Sequence, residues 1–119
     1  MLSSNSWQNY AISDGVGVTN IGTDPAHPSW APGIMGMPGC TAYCGLLYIG
    51  EPKAGETVVT AAATGPVGAT VGQITKIKGC QAVGIAGGAE KCAHAGNELG
   101  FDVCIDRNAP YFEAQLEAA

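Results

Sequence analysis

The residues best suited to chemistry form a glycine-containing loop, Ala63-Thr64-Gly65-Pro66-Val67-Gly68. The loop follows an uncharged β-branched segment, precedes apolar residues at helical spacing, and fits A-x-G-x-x-G, a variant of the dinucleotide-binding fingerprint. Small residues let the backbone approach a pyrophosphate, and Pro66 stands where a first helical N–H has no partner in any case. We expect the N–H groups of Val67, Gly68 and Ala69 to face a phosphate with the helix dipole behind them. The alternative is a tight βα turn of a flavodoxin-like domain that binds nothing there.

The end of the second predicted strand distinguishes between the two nicotinamide dinucleotides. An NAD site places an Asp or Glu there to bind the ribose 2′-hydroxyl, whereas this chain has Ile85-Ala86-Gly87-Gly88, followed by Lys91 on the first turn of the next helix. A missing carboxylate, a nearby cation and free backbone donors suit a 2′-phosphate, so the sequence favours NADP(H) over NAD. Glu90 would repel that phosphate unless it points away, and the alternative for Lys91 is a solvated surface lysine.

Five cysteines are the other potentially reactive side chains: Cys40, Cys44, Cys80, Cys92 and Cys104. Because their number is odd, a disulfide framework would leave one unpaired. Nothing indicates secretion, so we expect reduced thiols in a cytoplasmic protein. Cys40 and Cys44 have the spacing of half a metal site, but no second pair matches them and the two histidines are isolated. We therefore predict small buried apolar cysteines and no metal site; a metal or redox module built on these thiols is the alternative.

Composition excludes several classes of protein. Hydrophobic residues make up 46% of the chain, which argues against disorder. The net charge is −5, which disfavours nucleic-acid and anionic-membrane partners because both need a basic face. No apolar run approaches the roughly 18 residues of a membrane span. The first residues also lack the charged and apolar regions of a signal peptide.

The candidate residues need a scaffold of alternating strands and helices. From about residue 38 onward, short apolar strands alternate with helical segments, which predicts an α/β fold: a βαβαβ half of a Rossmann fold with parallel strands in the order 3-2-1 and helices on both faces. The predicted strands are 57–62, 80–86 and 101–105, and the predicted helices are 41–49, 67–78, 89–99 and 109–118. Pro38 suits a first helical turn ahead of 41–49.

The first third of the chain has a different character. The segment 24–33 contains three X-Pro pairs, which exclude a helix there and favour an extended or turning path. Residues 7–12 alternate loosely between apolar and polar types and predict a short strand. We expect residues 1–39 to form an irregular extension without a core of its own.

Seven segments together have a distinctive set of residues: Trp7–Ala11, His27–Ala31, Gly36–Leu46, Pro52–Val59, Ala62–Gly68, Val71–Cys80 and Ala86–Cys92. They cover nearly the whole chain. They closely resemble one branch of the medium-chain dehydrogenase/reductase superfamily, the zinc-independent prostaglandin reductases, leukotriene dehydrogenases and bacterial NADPH-dependent curcumin reductases.

The resemblance implies an oxidoreductase that uses NADPH to reduce the carbon–carbon double bond of α,β-unsaturated ketones and aldehydes. Hydride would go to the β-carbon, and the resulting enolate would be protonated. In the family pattern Pro66–Ala69 would meet the pyrophosphate, and Gly88 and Lys91 the 2′-phosphate. Thr41 and Tyr43 would lie near the nicotinamide, with Tyr43 as the candidate catalytic residue; helix packing is the alternative for Tyr43.

The chain also departs from this family. The resemblance implies a protein roughly three times as long, with a GroES-like domain first and the second half of a six-stranded sheet last. We therefore expect 1–39 to be a remnant at the boundary of the preceding catalytic domain. We expect 40–119 to be the first half of an NADP(H)-binding domain, not competent for catalysis alone. Where the family often has a tyrosine at the adenosine side, this chain has Arg107, which would attract a phosphate or have no role there.

A non-enzymatic, truncated module is the alternative to a reductase segment. Without further strands, the first strand would be an exposed apolar edge that invites pairing with another copy. A symmetric dimer would restore a continuous six-stranded sheet. The sequence thus predicts a homodimer or a higher homo-oligomer.

Overall fold

Three parallel strands form the centre of the protein, whose computed structural model describes residues 8–23 and 26–119. The strands β1 (Thr57–Thr60), β2 (Gln81–Ala86) and β3 (Val103–Asp106) lie in the order β1-β2-β3. In register, Val83 of β2 pairs with Val59 on one side and Val103 on the other. The predicted strand order of a half Rossmann fold is confirmed.

Helices cover both faces of this sheet. They are α1 (Met37–Cys44), continued by a π-helix (Gly45–Gly50), then α2 (Pro66–Ile77), α3 (Ala89–Asn97) and α4 (Phe112–Glu117). On one face, Ala82 of β2 packs with Ala95 of α3. On the other face, Gln81 Nε2 donates a hydrogen bond of 3.3 Å to the carbonyl oxygen of Ala119, just beyond α4. Neighbouring strand residues point to opposite faces, so these two contacts place α3 and α4 on opposite sides, as predicted.

Phe101 fills the core because two glycines leave room for its ring. A Cβ built on Gly84 of β2 would lie 3.0 Å from Phe101 Cδ1, and one built on Gly72 of α2 would lie 2.9 Å from Cε1 and closer still to other ring atoms. The ring thus occupies the space between the helix and the strand. Strand β3 begins just after this ring, at Val103, two residues later than predicted.

Asp102 fastens the amino ends of β2 and β3 to α2. Its Oδ1 lies 2.5 Å from Lys76 Nζ, and its Oδ2 accepts a hydrogen bond of 2.7 Å from the Ala82 N–H. The bond from Lys76, followed by the bond from Ala82, lowers the pKa of the Asp102 carboxyl. The carboxylate therefore joins three elements of the fold from a partly exposed position.

The N-terminal third differs from the prediction in two places. Residues 8–12 form no strand, and Tyr10 and Ile12 are almost completely exposed; Trp7, the first residue of that predicted strand, lies outside the described residues. A short 3-10 helix occupies Pro28–Trp30, where the prolines were expected to exclude helix. Pro28 is tolerated because it takes the first helical position, where its missing N–H has no partner.

Several boundaries shift for local reasons. The first helix begins at Met37, and Pro38 lies in its first turn, as the sequence allowed. The last begins at Phe112 rather than at 109, because Pro110 disfavours helical geometry at Ala109. Strand β1 ends at Thr60 rather than at 62. Among the described residues, no helix combines the length and the apolar character needed to cross a bilayer.

Candidate functional site

The glycine loop turns sharply at the carboxyl end of β1. Ala62 has a φ of 49°, a left-handed conformation that is uncommon for a residue with a Cβ. Its carbonyl oxygen accepts a hydrogen bond of 2.8 Å from the Gly65 N–H, and the Ala63 N–H donates across to the Ile85 oxygen at 3.0 Å. The turn is therefore fixed both to itself and to β2, and it aims the start of α2 at the end of the sheet.

Gly68 lets α2 lie directly against this turn. A Cβ built on Gly68 would be 3.0 Å from the carbonyl carbon of Ala62, 3.1 Å from Ala63 Cα and closer still to the Ala62 oxygen. All three atoms belong to the backbone, so they cannot rotate away. The last glycine of the A-x-G-x-x-G pattern thus allows close packing of helix and strand, as the fingerprint requires.

Two backbone donors remain free at the amino end of α2. Within residues 8–23 and 26–119, the N–H groups of Val67 and Gly68 have no acceptor. The Ala69 N–H, which was predicted to be free, instead donates a 2.8 Å hydrogen bond to the Gly65 oxygen. The prediction was wrong on this group because the residue that precedes a helix accepts the first intrahelical bond through its carbonyl. Two N–H groups and the helix dipole still favour an anion at this position.

The turn after β2 is held by a carboxylate that sequence reasoning missed. Asp106 Oδ1 accepts hydrogen bonds from the N–H groups of Gly88 at 2.8 Å and Asn108 at 3.0 Å. The bonds from Asn108 and Gly88, helped by the charge of Arg107, lower the pKa of the Asp106 carboxyl. The Gly88 N–H is therefore already bonded within the protein, and the expected contact of Gly88 with a 2′-phosphate stays a prediction. The sequence did contain a signal for this contact: Asp106 ends the third strand, and the parallel pairing brings it beside the glycine turn that follows the second strand.

Arg107 and Lys91 are the cations near this turn. A Cβ built on Gly87 would lie 3.3 Å from Arg107 Nε and 3.6 Å from Cζ, so the guanidinium lies against the glycine. Lys91 is exposed on the first turn of α3, as expected, and Gly88 has a φ of 99°, which suits glycine. The structure thus brings Arg107, whose role the sequence left open, to the predicted 2′-phosphate region.

Thr41 and Tyr43 lie on different sides of α1. Thr41 lines an open apolar cleft of about 350 Å³ that also includes Thr60 and Val67, so it lies near the glycine loop. Tyr43 lines a separate cleft of about 320 Å³ against Thr70 of α2, and its ring meets Tyr48 edge-on at 5.9 Å. The structure therefore brings Thr41, but not Tyr43, to the cleft beside the start of α2.

The cysteines are less uniform than predicted. Only Cys80 is buried, and it donates a hydrogen bond of 3.1 Å to the Lys53 oxygen. The Sγ atoms of Cys40 and Cys44 lie 3.9 Å apart on α1, and Cys40 is exposed, contrary to the prediction. Burial, followed by a hydrogen bond with Cys92, raises the pKa of the Cys104 thiol to about 12. In the described part of the chain, no three side chains of His, Cys, Asp or Glu come together as metal ligands would.

The fold and the glycine loop together define the first half of a nucleotide-binding Rossmann domain. Comparison with known proteins then shows which proteins the chain is similar to. No family model matches it. It is 60% identical over its full length to the NADPH-dependent curcumin reductase of Escherichia coli, of which it covers 34%. It is 50% identical over 103 residues, 84% of the chain, to prostaglandin reductase 1 of the mouse, of which it covers 31%.

A solved structure agrees with these sequence matches. CurA from Vibrio vulnificus in complex with NADPH superposes with a TM-score of 0.85 at 62% identity, over 94% of this chain and 33% of CurA. The predicted resemblance is therefore confirmed: the chain is homologous to one segment of the curcumin reductase and prostaglandin reductase branch of the medium-chain dehydrogenase/reductase superfamily. The chain spans about a third of the length of the curated relatives it matches.

Proposed function

We propose that this chain forms the first half of the NADP(H) site of a reductase that acts on the carbon–carbon double bond of α,β-unsaturated ketones and aldehydes. The observation that carries the proposal is the start of α2, where the free N–H groups of Val67 and Gly68 stand beside a turn that glycine alone lets the helix approach. The names of its relatives support the choice of cofactor, since the matched E. coli protein is an NADPH-dependent reductase.

The residues present fit such a cofactor in two places. At the loop from Gly65 to Gly68, two backbone donors and the helix dipole suit a pyrophosphate. The turn after β2 suits a 2′-phosphate better than a ribose 2′-hydroxyl. The end of β2 carries glycines where an NAD site carries a carboxylate for that hydroxyl, and the cations Lys91 and Arg107 lie near the turn. When bound, NADPH supplies the hydride of the reaction.

The work of this chain in that reaction is binding and positioning. The turn at Ala62 fixes α2, so its N-terminal donors are organised before a phosphate arrives and need no rearrangement. Thr41 borders the same cleft as Val67, which supports its proposed contact with the nicotinamide side of the cofactor. Tyr43 remains the candidate catalytic residue, although it lines the neighbouring cleft.

The proposed division of labour follows the predicted domains. Residues 40–119 form the cofactor-binding half, and residues 1–39 belong to the boundary of a preceding catalytic domain. We propose that the chain is not competent in catalysis alone, since its described clefts are open and hydride transfer needs the reacting atoms held about 3–3.5 Å apart. The five thiols, none in a disulfide among the described residues, fit a cytoplasmic protein.

Calorimetric titration with NADPH, and with NADH as the comparison, tests this function. We expect saturable binding of NADPH and at least tenfold weaker binding of NADH. In Lys91→Ala, NADPH binding should weaken by about tenfold. Lys78→Ala, which removes an exposed lysine at the opposite end of α2, should leave NADPH binding unchanged. Absence of NADPH binding at millimolar concentration from a folded sample would overturn the proposal.

Self-association through the sheet is a second candidate role. Among the residues that the structure describes, strand β1 pairs with another strand on one side only, and its Val59 is 50% exposed. An apolar edge of this kind invites a further strand. Light scattering on the same sample tests the idea: a mass of twice 12.0 kDa supports a homodimer, and a monomeric mass across the micromolar range excludes it.

A further inference from the structure

We propose that Cys40 and Cys44 bind a single Cu(I) ion on α1, with the thioether of Met37 as a third ligand. The two cysteines lie about one helical turn apart, and their Sγ atoms are 3.9 Å from each other. Neither is in a disulfide, and Cys40 is exposed while Cys44 is partly exposed. Two sulfur atoms are thus already close together at the surface of the protein, where an ion can reach them.

The spacing of this pair suits a bridging ion better than a disulfide bond. Residues four apart on a helix have Cβ atoms about 5–6 Å from each other, whereas a disulfide needs Cβ atoms about 3.5–4.5 Å apart. A direct bond between the two sulfurs would therefore require α1 to distort. An ion between them would leave the helix unchanged, because two bonds of about 2.3 Å, the length of a zinc–thiolate bond, join sulfurs 3.9 Å apart at an angle of roughly 116°. That angle is close to the one in a planar site with three ligands.

The donor atoms near this pair favour Cu(I) over zinc. Among residues 8–23 and 26–119, no His, Asp, Glu or further Cys joins the pair to complete a set of three, and zinc sites take at least three such side chains. The third donor available is sulfur instead: Met37 precedes Cys40 by three residues on the same face of α1, and its side chain is 79% exposed. Two thiolates and a thioether are the soft ligands that select Cu(I).

The position of the pair on α1 suits the charge of the complex. Each thiol gives its proton to water as its sulfur binds, so two protons are exchanged for one Cu(I) ion, and neither copper nor sulfur changes its oxidation state. The complex of one monovalent cation with two thiolates carries one net negative charge. Cys40 is the fourth residue of α1, at the end where the helix dipole stabilises negative charge.

Anaerobic titration with Cu(I), in competition with the colorimetric chelator bathocuproine disulfonate, tests this site. We expect the unchanged chain to withdraw one equivalent of Cu(I) from the chelator. Cys40→Ser and Cys44→Ser should each lose this equivalent, because a hydroxyl is a poor ligand for a soft ion. Cys92→Ser, the matched control on α3, should retain it. Met37→Leu, which removes the thioether and keeps a side chain of similar size, should weaken binding without abolishing it.

Protection from alkylation tests the same site without any variant. Bound Cu(I) should slow the reaction of iodoacetamide with Cys40 and Cys44 and leave the reaction at Cys92 unchanged, as peptide mass spectrometry would measure. Light scattering should give the same mass with and without Cu(I), because one chain supplies all of the ligands. An unchanged circular dichroism spectrum shows that a serine variant is folded.

Four results would overturn the proposal in whole or in part. Retention of the equivalent in either α1 serine variant, or its loss in Cys92→Ser, refutes the site. Half an equivalent per chain with a doubled mass means that two copies share the ion, which also refutes it. Tighter binding of Zn(II) than of Cu(I) refutes the choice of ion, and unchanged affinity in Met37→Leu removes Met37 from the ligands. None of these measurements uses NADPH, so the inference is tested independently of the proposed function.

Discussion

Replacing Gly68 with alanine perturbs the point where α2 meets the turn after β1. The new Cβ would lie 3.0 Å from the carbonyl carbon of Ala62, 3.1 Å from Ala63 Cα and nearer still to the Ala62 oxygen. These are backbone atoms of a turn that is tied to β2 through the Ala63 N–H. Relief of the overlap therefore requires the start of α2 to move as a body, away from the sheet.

The expected cost follows from two opposing effects. Overpacking against a fixed neighbour costs about 1–3 kcal/mol, and the rigid backbone contact puts this site near the upper figure. Alanine gains about 1 kcal/mol over glycine inside a helix. The free energy of unfolding should thus fall by about 2 kcal/mol. For a domain of this size that lowers the urea midpoint by roughly 1 M.

Urea unfolding followed by circular dichroism measures this loss, with Gly96→Ala as the matched control. Gly96 lies inside α3, and no atom lies within 4 Å of a Cβ built there, so alanine should raise stability by about 1 kcal/mol. NADPH binding should weaken in Gly68→Ala and remain unchanged in Gly96→Ala. A Gly68→Ala midpoint at or above that of the unchanged chain, with Gly96→Ala raised as expected, would refute the close-approach argument.

Three further perturbations follow from the fold. Gly72→Ala should lower the free energy of unfolding by about 2 kcal/mol, because the new Cβ overlaps the ring of Phe101, and Phe101→Leu in the same chain should recover part of the loss. Because the pKa of Asp102 is lowered, its carboxylate contributes fully to stability above pH 3.8, the usual pKa of the group, and this contribution is lost as the pH falls to the lowered pKa. Asp102→Asn should therefore reduce the free energy of unfolding by about 1 kcal/mol at neutral pH and weaken the dependence of stability on pH under acidic conditions. With a pKa raised to about 12, Cys104 should react with iodoacetamide at pH 8 far more slowly than exposed Cys40, as peptide mass spectrometry would measure.

Each of these has a contrary result. A double variant less stable than Gly72→Ala alone would show that the Phe101 ring does not receive the new methyl group. An acid limb that is unchanged in Asp102→Asn would mean that the carboxylate does not act through its bonds to Lys76 and Ala82. Equal alkylation rates at Cys40 and Cys104 would contradict the partial burial and the raised pKa of the Cys104 thiol.

The sequence pattern located the strands because a sheet buried between helices requires short, uncharged apolar segments. It located the crossover helices because a glycine, Gly79 or Gly100, follows each of them. The pattern could not locate the end of β1, since the left-handed φ of Ala62 comes from the turn it makes with Gly65 rather than from its own preference. Likewise the space that Phe101 fills is left by glycines of two other elements, Gly72 and Gly84, which no local pattern around Phe101 reveals.

The candidate site shows the same limit. Residue types in the loop predicted an anion site, and two of its three expected N–H donors are free. Which N–H groups are already bonded depends on tertiary geometry: Ala69 bonds within its helix, and Gly88 bonds to Asp106 on a different strand. The approach of Arg107 to Gly87 also arises from strand pairing, which no local pattern reveals.

The packing of Phe101 against two glycines predicts which positions should change together in evolution. One ring fills the space above Gly72 in a helix and Gly84 in a strand, so the volume at these three positions is shared. A methyl group gained at Gly72 must be matched by a smaller side chain at 101, whereas one gained at Gly84 would also meet the Cβ of Ala63 at 2.8 Å. Among homologous chains the three positions should therefore covary, and their combined side-chain volume should stay more constant than the residue at any one of them.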